Sequence, residues 1–450
     1  MKTAPPHSLE ALPPQWLVRF CQLTAAFAMV AGLFSGCNLT QNSDCVSHSS
    51  NYEASLIDEG ALAAEAPPEG VPYPMAIVLS QDAVNKLFAA VANADVPPLT
   101  IGDTIGGVPL SVTLDAQLPL IQVGGVNGCL TCLFSSMGFG LSVNVAGVAV
   151  GGTGAAAFQF PLFVQDNGLE STSFFAQLAQ SEVVGIDLQI DGIPSAYMAP
   201  VNGLVTMAAN AIITNEYGDT KLFDLNAWEV GDGDVKLVGR GPHIDAAQRT
   251  IVIGMQSNLV RPENGSIQWN PALPEGADIG LQIAPELIES LIRRMMHEDH
   301  IPRSYNESGQ ADSMGSEQVT LNTMRAGENE LLTTSFRLWR TSGGFCGFAD
   351  LQANLGLSIS DKKLRFAAQN VKITDSAGVG NLLQYASNWG GSEFLSNVID
   401  YSEITVNYNE FVIPGGKKAD MSAESFRLDL GSEGLSLFLN IEAIVDAVTN

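Results

Sequence analysis

Basic side chains are scarce in this 450-residue chain: 21 Lys and Arg stand against 48 Asp and Glu, a formal charge of −27. That balance excludes nucleic acid as a partner, because its phosphates would meet like charge. It also excludes a polybasic mode of membrane attachment. The plain reading of the acidity is that it keeps an apolar chain soluble. Charge of either sign is sparse, at 15% of residues, whereas 46% are hydrophobic and 44 are glycine. This excludes a disordered polymer and suits a protein rich in buried strands, long enough for two or three domains.

Chemical signatures are also lacking. There are only five histidines. His297 and His300 of "HEDH" lie at a helix end without an evident third ligand, so no metal site is assigned and a solvated helix terminus is read instead. Neither HExxH nor GxSxG occurs, which excludes the common zincin and serine-hydrolase signatures. Gly152 and Gly154 of "GTGAAA" mimic a dinucleotide loop, but a strand with Pro161 follows where a helix is required. Asp232 and Asp234 of "GDGDV" (231–235) read as a β-turn, since the EF-hand spacing and its closing Glu are missing. The chain is therefore read as not an enzyme and as needing no cofactor.

Long apolar runs are almost absent. Only "LTAAFAMVAGLF" (23–34), after Lys2 and Arg19, has the shape of an export signal, and no other stretch is read as able to span a bilayer. The run ends in "SGC", which looks like a bacterial lipoprotein signal with Cys37 as the lipidated residue. An ordinary signal peptide cut nearby is the alternative. Loss of residues 1–36 leaves 19 basic against 47 acidic residues, a charge of −28. Asn38 after the cysteine is compatible with the outer membrane, facing the periplasm or the cell surface. Residues 37–71 are polar and mostly aperiodic and read as a lipid-anchored flexible tether. Outside the cytosol, Cys129 and Cys132 in "NGCLTCLF" are a disulfide candidate, with two free thiols as the other option; Cys45 and Cys346 are left unassigned.

What the chain does contain is a statement made twice. In "MAIVLSQDAVNKLFAAV", Met75, Ile77 and Leu79 alternate, Ser80 is placed to cap a helix, and Val84, Leu87, Phe88 and Val91 form an apolar stripe. In "DIGLQIAPELIESLIRRMM", Ile279, Leu281 and Ile283 alternate, Pro285 opens a helix, and Leu287, Ile288, Leu291 and Ile292 form the stripe. With Leu79 set on Ile283, Val84 falls on Ile288, Leu87 on Leu291 and Phe88 on Ile292. Each half continues through alternating strands (110–120, 141–150 and 186–193 in the first; 351–359 in the second) and a helical stretch (199–215 with a stripe of Leu204, Met207, Ala208, Ala211 and Ile212; 378–399). Each then closes with strands. The order predicts a duplicated module: 72–262, a connector at 263–276, and 277–450.

This arrangement resembles the tubular lipid-binding superfamily, which includes the bactericidal/permeability-increasing and lipid-transfer proteins. The resemblance covers about residues 75–450 and rests on the strand-into-helix openings quoted above. It implies an α+β fold of two tandem modules, each a strongly curved antiparallel sheet wrapped around a long amphipathic helix. It further implies an apolar lumen that binds or carries lipid or another amphiphile. Val84, Leu87, Phe88, Leu287, Ile288, Leu291 and Ile292 are the expected lining, or else core. The chain departs from that pattern in lacking a basic surface for lipopolysaccharide, and Gly390-Gly391 interrupt its late helix. The competing expectation is a structural or adhesive β-rich surface lipoprotein with a solid core, meeting proteins or glycans through loops such as 302–317. No protein partner is identified.

Overall fold

The computed structural model describes residues 41–57, 60–62, 73–92, 96–124, 131–230, 234–259, 272–306, 310–327, 331–342, 346–360, 363–377, 404–405, 411–414, 416–429 and 434–446. The expected leader, Cys37, Cys129, Asp232, the helical stretch 378–399 and most of the connector lie outside these residues. Four α-helices fall among the described residues: α1 (Gln41–Ser55), α2 (Gln81–Val91), α3 (Ser195–Ala211) and α4 (Pro285–His297). The first half carries β1 (Met75–Ser80), β2 (Leu99–Ile105), β3 (Val108–Ala116), β4 (Leu120–Val123), β5 (Cys132–Val145), β6 (Val148–Asp166), β7 (Ser171–Gln177), β8 (Glu182–Ile190), β9 (Asp219–Asn226), β10 (Trp228–Val230), β11 (Val235–Asp245) and β12 (Thr250–Ser257). The second carries β13 (Ile279–Ile283), β14 (Ser304–Tyr305), β15 (Glu317–Ala326), β16 (Leu331–Arg340), β17 (Gly347–Ser360), β18 (Lys363–Ala377), β19 (Ile404–Thr405), β20 (Phe411–Ile413), β21 (Lys417–Asp429) and β22 (Gly434–Asp446).

The chain is α+β, with two strongly curved antiparallel sheets. Their composition differs from one sheet per module. A sixteen-stranded sheet runs β10-β11-β12-β1-β13-β22-β21-β20-β9-β7-β6-β5-β3-β2, with β4 on β5 and β8 on β6, so it takes strands from both halves. A six-stranded sheet, β14 to β19, belongs to the second half alone.

The reason lies in β1 and β13, which pair inside the larger sheet and join the halves: Met75 opposite Ile283, Ile77 opposite Leu281, Leu79 opposite Ile279. The alignment that sets Leu79 on Ile283 also sets Ile77 on Leu281. Each strand therefore meets its own counterpart about a local twofold at Ile77–Leu281. The flanks obey the same relation, with β12 on β1 and β22 on β13, and the closing hairpins end on Asp245–Thr250 and Asp429–Gly434. Both faces of β1 are covered: Met75 to Leu79 are at most 1% exposed. Ile77 and Leu79 join the main core, while Ala76 and Val78 pack with Val252 and Leu273 on the other side. "MAIVL" is thus a continuous apolar run, as a central strand buried on both faces requires.

Three alternating stretches break where the sequence pattern runs on. In 110–120 the strand stops at Ala116, ahead of Pro119, which has no N–H to donate to a ladder. In 141–150 the chain reverses at Ala146-Gly147 (φ 52° and 89°), so "LSVNVAGVAV" is a hairpin. In 186–193 the strand ends at Ile190 and Gly192 (φ 88°) leads towards α3. Alternation survives each break because apolar residues flank the turns.

The tether reading needs correction at α1. Residues 41–55 are helical, and Cys45 is bonded to Cys346 with Cα atoms 5.0 Å apart. His48 meets Phe348 and Tyr52 meets Trp339 edge-on, at ring centroid distances of 6.0 and 6.2 Å. "QNSDCVSHSS" has weak helix propensity; the cross-link and the aromatic contacts hold what propensity alone does not.

Candidate ligand-binding interior

α2 starts as its sequence dictates: the Ser80 side chain accepts the Ala83 N–H at 3.0 Å, and Asp82 occupies the first turn. α4 starts on Pro285 with Glu286 in its first turn, and Arg294 and His297 lie in its last. All seven expected lining residues are buried. Val84 is 3% exposed, Leu87 and Phe88 1%, Leu287 1%, Ile288 0%, Leu291 4% and Ile292 2%, and all belong to one apolar cluster.

They do not converge on one space. Val84 and Leu87 line a cavity with Leu79, Leu162, Phe174, Leu222, Phe223, Ile251 and Ile253. All of these come from the first half. The α4 residues lie elsewhere in the core, and α4 packs on β15. The cavity measures about 10 Å³, room for about one water and far too little for an acyl chain. Phe174 and Phe223 stack at 4.7 Å beside it, and Phe88 lies 6.4 Å from the Tyr217 ring. Phe174, Phe223, Tyr217 and the lining residues of β9 and β12 escaped the sequence reading, which followed helical stripes and had no means of seeing which strand faces close on them.

Larger apolar surface surrounds α3, which rests on β2, β3 and β8. These are both edges and one inner strand of the β2-β3-β5-β6-β8 curl, so the helix bridges its mouth. The buried face of the helix is Val201, Leu204, Val205, Ala208 and Ala209, continued by Ile212 and Ile213 in a π-helical turn, Ile212–Tyr217. The expected stripe is thereby rotated: Met207 is 60% exposed. Ser195–Tyr217 spans 23 residues and is long and apolar enough to cross a membrane by length and composition, which corrects the reading that no stretch beyond the leader qualifies. Small residues of β6 do not open a lumen here. A Cβ on Gly154 would stand 2.5 Å from Cε2 of Phe139, whose ring fills that space.

Polar groups inside this region are few. The Tyr217 hydroxyl is buried and has no hydrogen-bond partner among the described residues. Burial, then the nearby Glu216 carboxylate, push its pKa above the usual value near 10. The charged groups at the junction of the halves are structural. Asp278, 4% exposed, accepts the Lys86 ammonium at 2.6 Å and the Ile441 N–H at 2.8 Å. In the other direction, Arg294 of α4 reaches Asp234 of the first half, Glu298, and the Gly60 carbonyl at 3.0 Å. Asp234 of "GDGDV" and Glu298 of "HEDH" therefore serve an arginine. Cys132 is in a disulfide, and Cys129, its expected partner, lies outside the described residues.

No protein-family model and no curated protein matches this sequence. Among solved structures, the chain is similar to the crystal structure of P47 of Clostridium botulinum E1, at 12% identity and a TM-score of 0.46, over 83% of this chain and 100% of that one. It is similar also to a lipopolysaccharide binding protein, at 10% identity and a TM-score of 0.35, over 83% and 99% of the two chains. At those scores the likeness assigns this chain neither a family nor a function.

Proposed function

We propose that the protein is an exported, lipid-anchored binder or carrier of lipids or other amphiphiles in the bacterial cell envelope. In this reading it is an outer-membrane lipoprotein held by Cys37, it is not an enzyme, and it uses no cofactor. Its two halves are a duplicated module, each a curved sheet around an amphipathic helix. The observation that carries the reading is the apolar concave face of the first-half curl, bridged by a helix that leaves Met207 in water. A helix laid across a mouth can lift and admit an acyl chain, whose transfer from water is worth about 25 cal/mol per Å² buried. Export is supported by the Cys45–Cys346 bond, since such cross-links persist in oxidising compartments.

A second reading has its own support. The cavity beside α2 is about 10 Å³, which favours a surface lipoprotein with a solid core. Native mass spectrometry with lipid extraction, on protein purified from a periplasm without detergent, separates the two. Phospholipid or fatty acid in fixed ratio is the expected result. A clean apo mass that refuses added lipid overturns the carrier reading and leaves the solid-core protein.

A further inference from the structure

Three turns lie at one end of the first-half curl, and all are built alike: an apolar β-branched residue, two small or turn-forming residues, and a second apolar β-branched residue. They are Ile105-Gly-Gly-Val108, Val145-Ala-Gly-Val148 and Ile190-Asp-Gly-Ile193. β3 lies beside β5 with Leu110 opposite Val145, and the Ala146 N–H donates to the Pro109 carbonyl at 3.0 Å, which puts the first two turns side by side. β8 ends at the same end of β6, with Ile190 opposite Gly152. The turns project into solvent: a Cβ added at Gly106, Gly107, Gly147 or Gly192 would meet nothing within 4 Å. Val148 is 66% exposed and Val108 half-buried, both clear of the core, whereas Ile105, Val145, Ile190 and Ile193 turn in part towards the main core.

Hairpin tips are normally polar, and the fold does not require these to be otherwise. In the second half, the sequence linking β15 to β16 contains "GENE" (327–330) and that linking β17 to β18 is "DK" (361–362), so both links carry charge. The middle turn also satisfies its own amides: besides the Ala146 bond, the Gly147 N–H donates to Asn144 Oδ1 at 2.9 Å. That removes the main cost of taking backbone into hydrocarbon. Cations are missing altogether, as residues 87–220 contain no Lys, Arg or His. Exposed Asp103 lies two residues before the first turn, and exposed Asp191 lies within the third. An anionic surface is therefore repelled. Three narrow projections also fall short of the continuous patch of about 800 Å² per partner that a stable protein complex buries.

We propose that this tip docks on a bilayer of neutral phospholipid, Val148 and Val108 entering the headgroup boundary with the glycine turns beside them. The surface is separate from the interior considered above and does not depend on a ligand there. The test is flotation of the full chain, carrying Cys37→Ser so that no acyl anchor contributes, with phosphatidylcholine vesicles. The chain is expected to float, equally at low and high salt, and less well as phosphatidylglycerol is added. Val148→Asp and Val108→Asp, neither in contact with the main core, are expected to cut flotation at least tenfold with unchanged thermal unfolding. Val46→Asp, on a residue 69% exposed on α1, leaves it unchanged. The indole of a Val148→Trp variant is expected to shift its emission blue on vesicles and to be quenched by brominated lipid. No flotation, full flotation of Val148→Asp, an unmoved emission from the Val148→Trp variant, or binding that grows with anionic lipid and fades with salt each overturns the proposal. Native mass spectra of Val148→Asp keep the two readings apart. Interior lipid retained while flotation is lost supports docking at the tip, and flotation retained without interior lipid sinks the carrier reading alone.

Discussion

Removal of the Cys45–Cys346 bond tests whether α1 is a clasp. The residues are 301 apart in sequence, and against complete unfolding the chain-entropy treatment gives a cross-link over that span about 6 kcal/mol. Release of α1 does not need complete unfolding. The Gly60 carbonyl is held by Arg294, so local detachment frees only the segment from Cys45 to Gly60. A loop of about 15 residues is worth about 3 kcal/mol. The Cys45→Ser/Cys346→Ser double variant should therefore lower the opening free energy of α1 by about 3 kcal/mol, which is about a hundredfold faster amide exchange. Hydrogen exchange read by mass spectrometry should localise the change to peptides covering 41–57 and the facing strands β16 and β17, with β1 and β13 protected as before. Trp339, 3% exposed and in contact with Tyr52, should report the same event in its fluorescence. Unchanged protection of α1, or equal loss of protection in β1 and β13, would refute the local-clasp reasoning.

Other perturbations probe the joints. Asp278→Ala leaves the Ile441 N–H buried without its side-chain acceptor, at about 1–3 kcal/mol. The ion pair adds under about 1 kcal/mol, because the Lys86 side chain is 45% exposed. Urea unfolding should show a loss near 2 kcal/mol that Asp278→Asn partly restores, and no loss would remove this contact from the junction. Gly60→Ala places a Cβ 2.9 Å from the Arg294 Cα at a φ of +69°, so protection of 41–62 should fall; a variant as well protected as the parent contradicts the close approach. Leu87→Ala should cost about 2–5 kcal/mol in denaturant unfolding, at the low end only if the small cavity beside it collapses. The raised pKa of Tyr217 sets a sign. Below about pH 10, the ordinary tyrosine value, the phenol is neutral in both states; above it the unfolded chain ionises first and stability falls. Melting temperatures between pH 9 and 11 should fall less steeply in Tyr217→Phe than in the parent, and parallel slopes would disprove the assignment.

Much of the fold was legible because it rests on period and spacing. The two strand-into-helix openings, the Ser80 cap and the Pro285 start are local signals, and the register of 204 between the halves reappears in the pairing of Ile77 with Leu281. What escaped is non-local or was hidden by an unusual local choice. No helix stripe says that Leu222 and Ile253 close on Leu87. Nothing in "QNSDCVSHSS" announces a helix whose partner is Cys346. The hairpin at Ala146-Gly147 was taken for a strand because Val145 and Val148, where polar residues usually mark a turn, kept the apolar rhythm.

That misreading and the proposed docking tip have one cause. A turn placed in water gains nothing from an exposed valine such as Val148, and the sequence links from β15 to β16 and from β17 to β18 carry charge instead. The pairing of β1 with β13 and of their flanks likens the openings and closing hairpins of the two halves and leaves the rest of their surfaces free to differ. The first half holds the cation-free stretch, the apolar turns and the helix-bridged curl. The second half takes the N-terminal clasp through Cys346, Phe348 and Trp339, and Arg294 fastens Gly60 and Asp234. If Cys37 carries an anchor, the clasp sets the second half close to it and leaves the apolar turns to govern how the first half meets a bilayer. The paired openings β1 and β13 supply a stable joint within the larger sheet, and the differences at the turns and at the clasp are where separate roles for the halves enter.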